Sequence, residues 1–206
     1  GMCRMAAGTA KGKLLEAGEA LLLSEGYART AVDAVCEKAG VTKGSFYHHF
    51  KSKEDLGIEV LTRWLMRNAQ VLEKGPHVGV ADPVKQALIY VQHVADSADV
   101  LWADGCLVGS LSSEMAGSSD RMHQTVDAMF RAFVAEHAKL FAGVVEHSVV
   151  ADPPTAEDLA ELFLGAIEGA IVVGKAYRDS QVIRRSVLTF QQLILSLLGP
   201  ARPVTG

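Results

Sequence analysis

The sequence predicts an all-α protein, and three observations carry that expectation. No stretch alternates apolar and polar residues with the period of two that a half-buried strand requires. Leu, Ala and Val are plentiful while aromatic residues make up 6% of the chain, a balance that favours helix over sheet. The apolar-periodic segments are bounded by Gly, Pro or short polar caps, as helices are. With 206 residues and an apolar fraction of 49%, the chain can bury a substantial core, and its composition is not that of a disordered segment.

Taken in order, the first helix is expected over 9–25, with Leu14, Ala17, Leu21 and Leu22 on one face and Gly26 as its stop. Thr30-Ala31-Val32-Asp33 reads as a capping-box start to a short helix ending at Ala39, with Gly40 beyond it. Thr42 can cap a second short helix that reaches about His49. Ser52 caps a long helix over 53–73, with Glu54 and Asp55 in the first turn, where the helix dipole favours acids. Residues 74–83 read as loop, 84–98 as helix, Asp104-Gly105 as a bend and 106–116 as a shorter helix. A long amphipathic helix is expected over 119–148, with Met122, Val126, Met129, Phe130, Phe133, His137, Leu140, Phe141 and Val144 at helical spacing. Asp152-Pro153-Pro154 breaks the chain before two last helices, 155–178 and 180–198. Neither repeats nor low-complexity segments interrupt this order.

The formal net charge of −4 would argue against a nucleic-acid partner, but its distribution reverses the inference. Residues 1–53 carry eight Lys or Arg against five acids, and the remainder carries twelve against nineteen. A basic working end on an acidic body is expected. Cys3, Cys36 and Cys106 lack the close spacing of a zinc or dithiol site, so reduced thiols in a cytoplasmic protein are the simplest reading. Glu16 and Glu19 interrupt the first apolar stretch, so it is not read as a signal peptide, and Gly1-Met2 reads as a tag remnant ahead of the natural start. The apolar run from Leu162 to Ala176 contains Glu168 and is too short for a membrane span, so no membrane partner is expected.

Two short helices around a Gly-containing turn, the second basic and rich in hydroxyls, are what a helix-turn-helix requires. Val32, Val35, Cys36, Ala39, Val41, Phe46 and Phe50 supply a small core that fixes the crossing of the two helices. The other side of the second helix offers Thr42, Lys43, Ser45, Tyr47, His48 and His49, donors and aromatic surfaces suited to phosphates and base edges. Gly44 permits close backbone approach.

The stretch 30–56, TAVDAVCEKAGVTKGSFYHHFKSKEDL, resembles the N-terminal signature of the tetracycline-repressor (TetR) family. Leu14-Leu15-Glu16-Ala17 and the Gly26-Tyr27 ending of the first helix fit as well, so the likeness covers about residues 9–60 and is architectural beyond them. Gly18 and Cys36 stand where that family usually has Ala, and Leu22 where Phe is common. The resemblance implies a DNA-binding domain over 1–52, a ligand-binding and dimerisation domain over 53–198 and a flexible tail over 199–206. It implies that Thr42, Lys43, Gly44, Ser45, Tyr47 and His48 meet the major groove and its phosphates. Lys53 and Thr30 would grip phosphates beside helix starts.

Beyond the signature, the resemblance implies a homodimer through the last two helices. The helix at 155–178 is apolar on more than one face, with Leu159, Leu162, Phe163, Ala166, Ile167, Ala170 and Ile171 on one and Leu164, Gly165, Val172, Val173 and Ala176 on another. A helix apolar all round must be buried all round. A small-molecule inducer is expected among the helices of 53–178, with Trp64, Trp102, Cys106, Met115, Met129, Phe130, Phe133, His137 and Phe163 as possible lining, each also explicable as plain core. His137 interrupts an apolar face, which a hydrogen-bonded core histidine also explains.

Gly105-Cys106-Leu107-Val108-Gly109, with Glu114 downstream, resembles a TetR subgroup whose sixth helix begins Gly-Cys. Some of its members control detoxifying reductases and respond to electrophiles, so Cys106 is either a sensor thiol or a small filler at a tight helix start. The whole reads as a ligand-responsive transcription regulator, a repressor released from a palindromic double-stranded operator by a small molecule or electrophile. The competing class is an enzyme or carrier on a helical scaffold. No HExxH, di-iron ExxH pair, GxSxG elbow or glycine-rich phosphate loop supports it, and no cofactor or metal is expected.

Overall fold

The computed structural model describes residues 8–114 and 119–200, so Cys3 and Met115 lie outside the described residues. Ten helices and no strand occur among them: α1 Ala10–Glu25, α2 Val32–Ala39, α3 Lys43–His49, α4 Lys53–Glu73, α5 Pro83–Asp96, α6 Ala98–Trp102, α7 Leu107–Ser113, α8 Asp120–Glu146, α9 Ala156–Tyr177 and α10 Gln181–Leu198.

Local chemistry sets most of these ends. Thr9 caps α1 by accepting from the Gly12 amide at 3.1 Å. Asp82 accepts from the Val84 and Lys85 amides, and Pro83, with no N–H to satisfy, opens α5. Thr155 and Asp158 form a full capping box at α9. Gly40 ends α2 in the left-handed region at φ 65°, where only a residue without Cβ is at ease.

Three expectations are corrected. The helix read over 84–98 stops at Asp96, and a separate five-residue helix, α6, follows Ser97. Ser97 leaves helical geometry at ψ 0° while its carbonyl accepts from Val100 and Leu101, so one residue ends α5 and begins α6. The apolar pattern runs unbroken across the step through Val94, Ala95, Ala98, Leu101 and Trp102, all buried. Thr30 does not cap α2; Ala31 holds that position without a side-chain bond. Cys106 precedes α7 as its N-cap and is not in its first turn.

The chain forms two compact units. The first comprises residues up to Asn68 together with Asp104–Asp127, thus α1, α2, α3, α7 and parts of α4 and α8. Its core holds Leu14, Leu15, Leu22, Val35, Phe46, Phe50, Leu56, Val60 and Leu61. The Val35, Cys36, Phe46 and Phe50 expected to lock α2 against α3 are buried. Gly18 explains one departure from the family pattern: a Cβ there would sit 3.2 Å from Leu56 and 3.3 Å from Val60, so glycine lets α1 approach α4 closely.

The second unit comprises Ala69–Ala103 and residues from Ala128 onward. Phe141, Phe163 and Phe190 meet pairwise at 4.9–5.5 Å between ring centres and form its aromatic centre. α10 is tied to α9 by the Ser186 hydroxyl, which donates to the Ala166 carbonyl, and to α5 by the Gln191 amide, which donates to the Leu88 carbonyl. None of the helices among the described residues is long and apolar enough to cross a membrane.

Candidate nucleic-acid interface

α3 owes its two-faced character to Phe46 and Phe50, one helical turn apart on its inner side, with polar residues on the other. Phe46 is wholly buried and Phe50 nearly so, their rings 5.6 Å apart, which anchors one side of the helix in the core. Thr42, Lys43, Gly44, Tyr47 and His48 are consequently exposed, and Ser45 is half-buried. The Thr42 side chain accepts from the Ser45 amide at 3.1 Å, leaving its hydroxyl proton free to donate outward. A Cβ on Gly44 would find only the Thr42 hydroxyl, at 3.8 Å, so the backbone there is open to another surface. Tyr47 stands 53% exposed with its ring edge-on to Phe46. His48 and His49 meet edge to face at 4.9 Å. Six of the eight expected DNA-contact positions therefore come together on α3 and its cap.

Lys43 is not idle in this unit. Its ammonium lies 2.8 Å from the Asp33 carboxylate, and that hydrogen bond raises its pKa further above neutrality. Both partners are largely exposed, so the pair is weak and exchangeable.

The other two expected contacts, Thr30 and Lys53, are placed differently. Thr30 is 1% exposed, and its hydroxyl donates to the Gly26 carbonyl at 2.7 Å. Its hydroxyl is thus committed to the turn between α1 and α2. The half-buried Lys53 donates to the Tyr27 carbonyl at 2.9 Å and stacks over the Tyr27 ring at 4.2 Å. Its charge steadies the same turn.

The sequence reading passed over Arg29 and Lys51, which are exposed and make no ion pair among the described residues. Their place in the basic N-terminal segment was the available signal. It also gave no role to Glu114, whose two oxygens accept from the Tyr27 and Ala28 amides at 3.0 and 2.9 Å.

The expected effector residues divide between the units. Trp64 and Cys106 are buried in the first. The Cys106 sulfur accepts from the Gly109 amide at 3.4 Å, capping α7. In the second unit, Phe133 stacks on His137 at 3.8 Å, and Phe163 lies 5.4 Å from the same ring. Phe130 and Met129 are half-buried on α8. Trp102 stands apart from that cluster, beside Ile171, Lys175, Arg178 and Ile183 around a cavity of about 330 Å³.

His137 is fully engaged. The Phe133 carbonyl, 2.7 Å from Nδ1, can only accept, so Nδ1 carries the proton. Nε2 then accepts from the Tyr90 hydroxyl at 2.7 Å. Burial pushes the His137 pKa down to about 4 and drives that of Tyr90 up, so both stay neutral.

Comparison with known proteins agrees with this arrangement. Residues 14–60 match the family described as "Bacterial regulatory proteins, tetR family", and residues 83–187, half of the chain, match "Transcriptional regulator LmrA/YxaF-like, C-terminal domain". The chain is similar to the HTH-type transcriptional repressor DhaR of Mycobacterium sp. (strain GP1), 27% identical over 89% of this chain and 91% of that one. It is also similar to the HTH-type transcriptional repressor NemR of Escherichia coli (strain K12), 32% identical over 59% of this chain and 62% of that one. Among solved structures, regulatory protein TetR from Rhodobacter sphaeroides superposes with a TM-score of 0.75 at 27% identity, covering 89% of this chain and 97% of the other. By its reading helix and by both matched segments, the chain belongs to the tetracycline-repressor family of transcription regulators.

Proposed function

We propose that this regulator is a repressor that grips a palindromic double-stranded operator as a homodimer and leaves it when a small molecule or an electrophile binds. The observation that carries the proposal is the exposure of Thr42, Lys43, Gly44, Tyr47 and His48 on one short helix whose opposite side is buried through Phe46 and Phe50. Ser45 completes the set, with Arg29 and Lys51 as further phosphate contacts. The DNA-binding domain is assigned to 1–52 and the effector and dimerisation domain to 53–198. The relatives DhaR and NemR are repressors, which supports the sign of regulation. Binding replaces catalysis as its means of action, and the cytoplasm, where the DNA is, is its place.

Dimerisation is assigned to α9 and α10. Leu162 and Val172 on α9 are 48% and 68% exposed, and Val173, Leu193 and Leu195 extend the apolar surface. Gly165 and Gly169 lie between Leu162 and Val172 at helical spacing, and a Cβ on either would meet nothing within 4 Å. No packing within the chain calls for glycine there, whereas a second helix crossing closely would.

The test is selection of bound duplexes from a random library by the full chain. An inverted repeat with half-sites about one helical turn apart is expected, with affinity falling steeply as salt rises. Recovery of no preferred sequence, or binding indifferent to salt, overturns the reading. A second arm treats the bound complex with N-ethylmaleimide in a Cys3→Ser background. Burial, with Asp33 adding to it, pushes the Cys36 thiol up and keeps it inert. If Cys106 senses electrophiles, Cys106→Ser stays bound where the parent is released. Tenfold release needs a bias of only about 1.4 kcal/mol against the DNA-competent state. Equal release of both proteins, or of neither, leaves Cys106 as a helix cap and the inducer as a reversible ligand.

A further inference from the structure

The turn that joins α1 to α2 is held from outside the helix-turn-helix at both ends of one residue. Tyr27 offers its N–H to Glu114 at 3.0 Å and its carbonyl to the Lys53 ammonium at 2.9 Å. The second oxygen of Glu114 takes the neighbouring Ala28 N–H at 2.9 Å, so a single carboxylate receives two consecutive amides. Within the turn, Thr30 closes back on Tyr27 and Gly26 through its amide and hydroxyl. Those bonds fix the internal shape of the turn and leave the amides of Tyr27 and Ala28 to Glu114. Gly26, at φ 84°, brings the backbone so near that a Cβ there would come within 2.5 Å of the same carboxylate. The site is thus cut to admit this side chain.

Glu114 closes α7 and lies 86 residues from Ala28 in sequence, while Lys53 opens α4. Two further bonds repeat the pattern beside it. Arg121 reaches Asp55 at 2.6 Å, and the Ser119 hydroxyl donates to Glu54 at 2.6 Å, both on the first turn of α4.

We propose that Glu114 is a positioning residue for DNA reading: by holding the Tyr27 and Ala28 amides it sets the direction in which the chain enters α2, and with it the pose of α3. The proposal rests on the DNA-binding reading above. Charge-assisted bonds to a carboxylate are shorter and stronger than neutral ones, and two on adjacent amides restrain orientation as well as distance. The exposed side chains of α3 do not touch Glu114, so its loss leaves their charge and chemistry intact while loosening the frame that aims them.

The experiment compares Glu114→Gln and Glu114→Ala with the unmodified full chain on two probes. One is the duplex that the unmodified chain selects from a random library; the other is a random-sequence duplex of equal length. Base contacts demand exact placement, whereas phosphate attraction tolerates rotation. Glu114→Ala should therefore weaken the selected duplex about tenfold and the random one less than twofold. Glu114→Gln, which keeps one acceptor, should fall between. Amide hydrogen exchange at Tyr27 and Ala28 should quicken in both variants without a matching loss in the global unfolding midpoint. Equal weakening on both probes in step with a lowered midpoint would reduce Glu114 to a stability role and overturn the proposal. Unchanged affinity for the selected duplex would overturn it too. If the unmodified chain selects no duplex, the DNA reading fails with it, and the exchange rates separately decide whether the clamp exists.

Discussion

Lys43 opens α3 at the N-terminal end of its exposed face, where it is paired with a carboxylate of the protein itself. Asp33 holds it at 2.8 Å across the helix-turn-helix, where both are exposed. A phosphate would have to displace this carboxylate, and Asp33 itself repels the DNA backbone. Asp33→Asn should therefore tighten binding to any duplex several-fold and steepen the dependence of log affinity on log salt by about one contact. A titration at three salt concentrations reads both quantities, and unchanged affinity would mean that Lys43 is not a phosphate contact. Changing Ser45 should instead alter preference at particular base pairs, by ~1–3 kcal/mol. Much of this face was legible in the sequence because period and residue type alone separate Phe46 and Phe50 from Thr42, Lys43, Tyr47 and His48. The roles of Thr30 and Lys53 were not. Each meets a partner fixed by the turn after α1, and Lys53 lies 26 residues from the Tyr27 carbonyl that it binds. Glu114, farther still along the chain, left no local trace of its two amides.

At the scale of the helix, ends marked by their own chemistry were readable. Thr9, Asp82-Pro83 and the Thr155–Asp158 box act on amides within three residues, and the starts expected at 9, 84 and 155 each lie within one residue of those observed. The step at Ser97 has no such mark. α6 continues the buried face of α5, and a five-residue helix is shorter than any periodic pattern can resolve. The Thr30-x-x-Asp33 pattern misled for the opposite reason, since a capping motif was present but the hydroxyl had been claimed by Gly26. α9 keeps Leu159, Phe163, Ile167 and Ile171 of its expected inner face buried, but Leu162, expected beside them, is 48% exposed and joins Val172 and Val173 on the outer face. If that outer face forms the dimer, Val172→Asp places a charge where desolvation has no compensating partner. At 68% exposure in the single chain, the substitution should leave the fold intact. Light scattering should find a monomer with unchanged helicity, and binding to the selected duplex should fall at least tenfold. A Val172→Asp protein that remains dimeric would move the interface elsewhere.

For the molecule as a whole, stability should follow pH through the buried pair at the centre of the second unit. His137 is neutral, donates from Nδ1 to Phe133 and accepts at Nε2 from Tyr90. Burial lowers its pKa from 6.5 to about 4, and His77 is shifted in the same direction by burial and by the neighbouring His93. In the unfolded chain the His137 ring takes a proton as pH falls through 6.5, whereas in the folded chain it refuses one until about pH 4. The unfolded state therefore binds more protons across that window, and stability present above it drains away as pH falls. Between pH 7 and 5 this one ring should remove about 2 kcal/mol. His137→Gln keeps an acceptor for the Tyr90 hydroxyl but does not titrate, so its denaturation midpoint should be lower at pH 7 and flatter toward pH 5. The two proteins should converge as the pH drops. A parallel decline in both would assign the acid sensitivity to other groups and leave His137 protonated in the folded chain. The pair also bears on the effector. A ligand that entered beside Phe133 and Phe163 would have to satisfy the Tyr90 hydroxyl or leave it on His137, because an orphaned buried donor costs about 1–3 kcal/mol. Such a ligand should therefore stabilise the folded chain equally at pH 7 and pH 5, because the folded His137 that it meets is neutral at both.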